Sequence, residues 1–411
     1  MIFTGFSPNT TKKDLAIVCN QLLPWNLHTY QIGEYQEKLR LMLSDMYRGA
    51  SIFLTDSGRS AISLALHSAE IKSGDEVIVQ GFTCVVVTNA ILSVGATPIF
   101  VDIDDVYCTD PIDVKQKITN KTKVIIVQHT FGFSAQIAEI KKIANEHNIV
   151  IIEDCAHALG VKDKDDQIVG TVGDMAILSF GVDKIISSVR GGALVINNRK
   201  FVKPASAEYK TLTYKNFVDV IRHIMHIPVF SIAKPLYSIK IGKFILFLAK
   251  KIQITNTIVT KNEKQGSITY HPYKLENIFS KLAYVQLQTL EGSLQHRKNV
   301  AAVYFKQLHS ISQISMPVLD PYAAYLRFPI CIPKPNQLRI YAKKKGIILG
   351  DWYNSVVAPN DCNISTIYTK GQCKQAELIA STIVNLPTNI HITPADQQKI
   401  IQTIKQYANT L

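Results

Sequence analysis

The chain has 411 residues, 47% of them hydrophobic and 19% charged. A single core stops growing at roughly 250–300 residues, so this length fits one large domain plus a smaller one, and the balanced composition excludes a disordered or fibrous protein. The net charge of +13 suits an anionic small molecule, an anionic membrane or a nucleic acid alike, and selects none of them. From residue 51 to about 198, short β-branched runs alternate with helical stretches, the pattern of βαβ units building a mostly parallel sheet. Strands are expected at Ser51–Thr55, Glu76–Gln80, Thr97–Asp102, Val124–Gln128, Ile149–Glu153, Met175–Phe180 and Ala193–Ile196. Crossover helices are expected at Ser60–Ala69, Cys84–Val94 and Ser134–His147. In open sheets of this kind, ligands gather at the carboxyl ends of the strands.

After Asn198 the pattern breaks. A long helical stretch, Leu275–Leu308, is followed by strand-like Leu326–Ile332, helix-like Gln337–Lys345 and a last helix Pro394–Leu411. The division expected is a large sheet domain at 1–200, a basic amphipathic insert at 201–270, and the long helix with a small α+β domain at 271–411. The seven cysteines are scattered and form no Cys-x-x-Cys pair, which argues for reduced thiols in a cytoplasmic protein and against a disulfide framework or a metal site. The opening residues lack the basic and apolar regions of a secretory signal.

Three motifs carry chemistry. In Thr55-Asp56-Ser57-Gly58-Arg59-Ser60-Ala61 a strand ends in a small, hydroxyl-rich turn before a helix, where free backbone N–H groups and the helix dipole favour an anion. An ordinary capped helix start would read the same way. In Ile151–Gly160 a strand runs into Glu153 and Asp154, with His157 just beyond. A carboxylate there either holds a pyridine nitrogen protonated or merely caps the next turn. Finally, Ser179-Phe180-Gly181-Val182-Asp183-Lys184 puts a lysine just past a strand end, where neighbours can lower its pKa and make it a nucleophile; taken alone, the fragment more often carries a solvated surface lysine.

In this order the motifs resemble the DegT/DnrJ/EryC1/StrS family of sugar aminotransferases, pyridoxal phosphate (PLP) enzymes of fold type I. Further matches are Gly74–Val79, Val94–Asp102, His129–Gly132, Gly173-Asp174, Arg297–Tyr304 and Asn385-Leu386-Pro387. The resemblance implies a mostly parallel sheet sandwiched by helices in a PLP-binding domain, and a smaller C-terminal α+β domain. It implies that Lys184 carries PLP as a Schiff base and that Asp154 partners the pyridine nitrogen. Ser57, Gly58, Arg59 and Ser179 match the phosphate cradle, while His157 stands near the ring oxygen and Cys84 where an aromatic normally stacks.

The expected reaction moves an amino group from glutamate or glutamine to the keto group of a nucleotide-linked sugar, in a cytoplasmic homodimer serving polysaccharide biosynthesis. Lysine rather than histidine at 184 points away from the family's dehydratase branch. Another PLP reaction on a sugar, or a regulatory or membrane-associated member without turnover, are the alternatives. They draw on departures from the family pattern: Arg59 in place of threonine, Cys84, Val189-Arg190-Gly191-Gly192 in place of Gly-Glu-Gly-Gly, and Pro272–Leu275 in place of Asn-Tyr-Arg-Met.

Between Val220 and Asn262 there are seven lysines and arginines and no acid. The apolar runs Ile224–Ala233 and Phe244–Ala249 fall short of the ~18–20 residues that a spanning helix needs. The segment suits peripheral contact with an anionic membrane or packing over the dimer. Packing is the expectation, because apolar stripes at helical spacing usually face a protein core. Nucleic-acid binding is not expected, since no aromatic residues interleave with the charge.

Overall fold

The computed structural model describes residues 1–5, 7–254, 259–266, 271–363 and 367–411. The parts of the expected insert at 255–258 and 267–270, and with them its boundary at 270, lie outside the described residues. The main sheet has seven strands: β1 (Ser51–Thr55), β2 (Glu76–Gln80), β3 (Thr97–Val101), β4 (Thr122–Gln128), β5 (Val150–Asp154), β6 (Met175–Ser179) and β7 (Gly192–Ile196). Their order is β1-β7-β6-β5-β4-β2-β3. From β6 to β3 every neighbouring pair is parallel, whereas β7 runs antiparallel to both β6 and β1.

Because a strand alternates its side chains between faces, one strand serves two cores. Met175 and Ile177 of β6 enter one apolar cluster while Ala176 and Leu178 enter another, and Leu194 and Ile196 of β7 part from Ala193 and Val195 in the same way. Both faces of the sheet are therefore covered, as strands apolar on both sides require. Three short strand pairs tie distant parts together: Ile2–Phe3 with Ile347–Ile348, Thr83–Cys84 with Val357–Ala358, and Phe328–Cys331 with Ile383–Leu386.

Helix bounds depart from the sequence expectation where side chains compete with the backbone ladder. The stretch Leu275–Leu308 is two helices, Asn277–Leu287 and Leu290–Leu308. At the break, the Thr289 hydroxyl donates to the Gln286 carbonyl at 3.0 Å, and the Thr289 N–H bonds the same oxygen at 3.0 Å. This is the local competition that threonine brings to a helix. The helix expected from Ser134 starts at Ile137, because the Ala135 N–H instead donates to His129 Nδ1 at 3.1 Å. Conversely, the helix expected from Ser60 starts two residues earlier, at Gly58, with Ser57 as its cap.

The basic segment forms helices Phe217–Ile224, His226–Ala233 and Ile241–Lys251. The second buries Ile227, Phe230 and Ala233 and packs on helix Lys12–Gln21. Among the described residues, no helix is long and apolar enough to cross a membrane.

One glycine fixes how the sheet meets the turn after β1. A Cβ on Gly192 would lie 2.6 Å from the Ser57 carbonyl carbon and 2.7 Å from the Gly58 nitrogen and the Leu178 oxygen. None of these is a side chain that can swing away. Gly192→Ala is expected to destabilise the protein by about 2–3 kcal/mol, measured as a lowered urea midpoint, and to weaken any anion held by the Ser57-Gly58 turn. A variant of native stability would show that the turn yields.

Candidate active site

The carboxyl ends of the parallel strands open into a cavity of about 710 Å³. All eight residues singled out from the sequence line it: Ser57, Gly58, Arg59, Cys84, Asp154, His157, Ser179 and Lys184. Ser57 and Cys84 occupy the N-cap positions of helices Gly58–Ser68 and Val85–Ser93. Asp154 ends β5, Ser179 ends β6, and Lys184 follows in the loop before β7.

Strand alternation separates the two adjacent carboxylates of β5. Glu153 is fully buried and accepts from the N–H groups of Gly170 (2.9 Å), Val172 (2.9 Å) and Gly173 (2.6 Å). It also meets His129 Nε2 at 3.0 Å. Because His129 Nδ1 accepts from Ala135, the imidazole proton sits on Nε2 and points at Glu153. These atoms and Cys155 lie close enough to suggest a metal, yet the contacts just named already occupy the carboxylate and both ring nitrogens. Asp154 turns the other way, into the cavity, where its Oδ1 accepts the Ala156 N–H at 3.0 Å. Burial raises its pKa, against the pull of that N–H and of the Lys184 charge.

Lys184 is half-buried in the cavity wall. Burial lowers its pKa, opposed by the Asp154 and Cys84 charges, so the amine gives up its proton more readily than a surface lysine does. Its Nζ lies 5.1 Å from the centre of the Trp352 ring. The same ring carries the Arg327 guanidinium at 3.5 Å, and Arg327 reaches Asp183 Oδ2 at 3.3 Å. Trp352 stacks on His157 with centroids 5.5 Å apart and planes within 8°. His157 Nδ1 accepts the Phe131 N–H at 3.2 Å, so its Nε2 carries the hydrogen and faces the Tyr353 hydroxyl at 3.3 Å. Burial, with the Lys184 and Arg327 charges, holds its pKa well below the usual histidine value. The ring is a neutral, fixed plate.

The opposite end of the cavity is built for an anion. The N-terminus of helix Gly58–Ser68 points there, capped by Ser57, whose Oγ accepts the Ser60 N–H at 3.3 Å. A Cβ on Gly58 would come within 3.1 Å of Ser179, so the glycine leaves room where the two hydroxyl residues converge. Arg59 forms an ion pair with Glu263. Arg190, nearly buried, pairs with Asp56 at 2.6 Å and faces Glu276 at 3.9 Å, while Lys215 stands 3.6 Å from Asp56. Two departures seen in the sequence, Arg59 and Arg190, thus each have an acid for a partner.

Sequence reasoning missed Tyr353, Glu263 and Lys215, which come from distant segments with no motif of their own. Arg327 left a signal that was not used, as an arginine inside the otherwise apolar run Leu326–Ile332.

A family sequence profile described as the DegT/DnrJ/EryC1/StrS aminotransferase family matches residues 12–216 and 248–405. The chain belongs to that family. This DegT/DnrJ/EryC1/StrS member is a PLP-dependent aminotransferase by family. It is similar to the pleiotropic regulatory protein of Geobacillus stearothermophilus, 25% identical over 92% of this chain and 90% of that one. It also resembles the GDP-perosamine synthase of Escherichia coli O157:H7, 29% identical over 71% of this chain and 68% of the other. Among solved structures, NtdA of Bacillus subtilis with the cofactor PMP bound superposes with a TM-score of 0.77 at 20% identity, covering 100% of this chain and 85% of that one. The fold is the fold type I architecture of the aminotransferases.

The aminotransferase cavity suits PLP by its own chemistry: an anion cradle, a half-buried amine, and a buried carboxylate facing inward. The buried pair beside the cradle gives a stability test. Arg190→Met, which takes from Asp56 its nearest cation and leaves it Lys215 at 3.6 Å, is expected to cost about 3 kcal/mol, whereas Arg190→Met with Asp56→Asn recovers most of it. Urea unfolding of the four proteins of this cycle measures the coupling, and additive losses would mean that the pair contributes nothing.

Proposed function

We propose that the chain moves an amino group from an amino acid, glutamate or glutamine, to the keto group of a nucleotide-linked sugar, as a cytoplasmic homodimer. The observation that carries this reading is the meeting of Lys184, Asp154 and the Ser57-Gly58-Ser179 cradle in one cavity at the carboxyl ends of the strands. The name of the similar GDP-perosamine synthase supports the nucleotide-linked sugar. We also keep the division at 1–200, 201–270 and 271–411, with the first part holding the cofactor.

In this reading Ser57, Gly58, Arg59 and Ser179 hold the PLP phosphate, Lys184 carries the cofactor covalently, and His157 and Cys84 flank the ring. Bound PLP supplies an electron sink beside the reacting carbon. The chain supplies the rest. Asp154 keeps a proton on the ring nitrogen, and burial strengthens that contact. Lys184, its pKa lowered by burial, is the base that takes a proton from the substrate carbon and returns it. The neutral His157, locked between the Phe131 N–H and Tyr353, fixes the ring position without adding charge. The Trp352 ring flanks the amine, its centre 5.1 Å from the nitrogen.

Against a member without turnover stands the retention of both Lys184 and Asp154 in inward-facing positions. Borohydride reduction of the PLP-loaded protein, followed by peptide mapping, is expected to find the label on Lys184; a label elsewhere would overturn the assignment. With glutamate or glutamine and a panel of nucleotide keto sugars, mass spectrometry should detect the amino sugar. Lys184→Ala should lower kcat by at least about 10²-fold, and Asp154→Asn should remove most turnover while keeping the fold. Unchanged turnover in Asp154→Asn would mean that another group protonates the ring.

A further inference from the structure

The family match stops at residue 216 and resumes at 248, and most of helix Ile241–Lys251 falls in that gap. This helix turns Gly242 and Ala249 inward. A Cβ on Gly242 would come within 2.7 Å of the Tyr237 backbone nitrogen, so the glycine seats the first turn directly on the preceding loop. Outward, the helix presents Ile241, Phe244 and Leu248, and Ile252 continues the line. Their spacing of three and four residues makes one continuous stripe. Phe244 is 61% exposed and Phe247 63%, far more than single surface apolar residues need explaining, and Ile232 and Ile239 extend the same character into the preceding helix and turn.

Cations border the stripe. By helical spacing Lys240 and Lys251 run along its edge, with Lys243 and Lys250 beyond them and Phe247 between. No acid occurs from Val220 to Asn262. A second copy docking through the same surface would bring two sets of lysines together with no acid from this segment to offset them. A nucleic acid would leave the aliphatic stripe in water. An anionic bilayer takes both features at once, acyl chains for the stripe and headgroups for the lysines.

We propose that helix Ile241–Lys251 and the turn before it lie in the surface of an anionic lipid bilayer and hold the enzyme there peripherally. The expectation drawn from sequence, that the segment packs over the dimer, is the alternative, which vesicle binding decides for or against.

The test is co-sedimentation of the full chain with vesicles of phosphatidylcholine alone or mixed with phosphatidylglycerol. Binding is expected to the mixed vesicles, to weaken as salt rises, and to be weak on the neutral ones. Changing Phe244, Phe247 and Leu248 together to serine should lower the partition coefficient at least about tenfold. Changing Lys240, Lys243, Lys250 and Lys251 to glutamine should lower it about fivefold per lysine. Both variants should keep the wild-type circular dichroism, PLP absorbance and sedimentation coefficient. Absence of binding to the mixed vesicles, or binding that survives both sets of changes, would overturn the proposal. A shift in oligomeric state in the serine variant would instead make the stripe an interface between copies.

Discussion

The buried contact of Glu153 with three backbone N–H groups and His129 holds the end of β5 in place. An unpaired carboxylate inside the protein would cost several kcal/mol or take up a proton. With four donors converging on it, Glu153 stays a fixed point, and the loop from Gly170 to Gly173 is gathered around it. Everything on the cavity side inherits that rigidity. Asp154, the next residue, is aimed by it, and His157 sits one short turn farther on.

A second set of charges plays the same part around the anion cradle. Asp56 lies between Arg190 and Lys215, and its other oxygen accepts the Ser60 hydroxyl and the Tyr273 N–H. Through it the turn after β1 is joined to the loop before β7 and to the segment leading into helix Asn277–Leu287. The positions where this chain departs from its family are therefore tied to one another. Arginine at 190 makes sense beside aspartate at 56, and Arg59 beside Glu263, because each guanidinium has a carboxylate in reach. Replacing one member alone removes the nearest opposite charge of the other, leaving Asp56 with Lys215 and Arg190 with Glu276.

How much of this was legible followed the range of the interactions. The seven strands fell within a residue or two of their expected places, since β-branched runs between turn residues are a local signal. Strand ends marked the neighbourhoods of Ser57, Asp154, Ser179 and Lys184, but the choice of Lys184 over an ordinary surface lysine came from the order of the motifs and the family resemblance. Which of Glu153 and Asp154 faces the cavity was legible only through the family resemblance; the physical reason, the N–H groups of 170–173, lies across a loop. The break at Thr289 and the late start at Ile137 depended on single side-chain hydrogen bonds that periodicity does not register. Tyr353 and Glu263 reach the site from segments more than 75 positions away in sequence from Lys184, where no local pattern marks them, whereas Arg327 was marked only as a lone arginine in an apolar run.

The N-terminal residues show what such long-range closure entails. Ile2–Phe3 pairs with Ile347–Ile348, and the Thr4 hydroxyl bonds the Ile348 carbonyl across 344 positions. Asn9 continues the link, its amide donating to the Lys184 carbonyl and its oxygen accepting from Arg297 at 2.7 Å. On a ribosome adding roughly 5–20 residues per second, Thr4 would wait on the order of half a minute for its partner. The loop that carries Lys184 is thus buttressed by residues made early but seated late. The sheet can assemble as translation proceeds, while the backing of the lysine is completed only once residues as far as Ile348 have emerged, so the active site is finished well after the sheet that carries it.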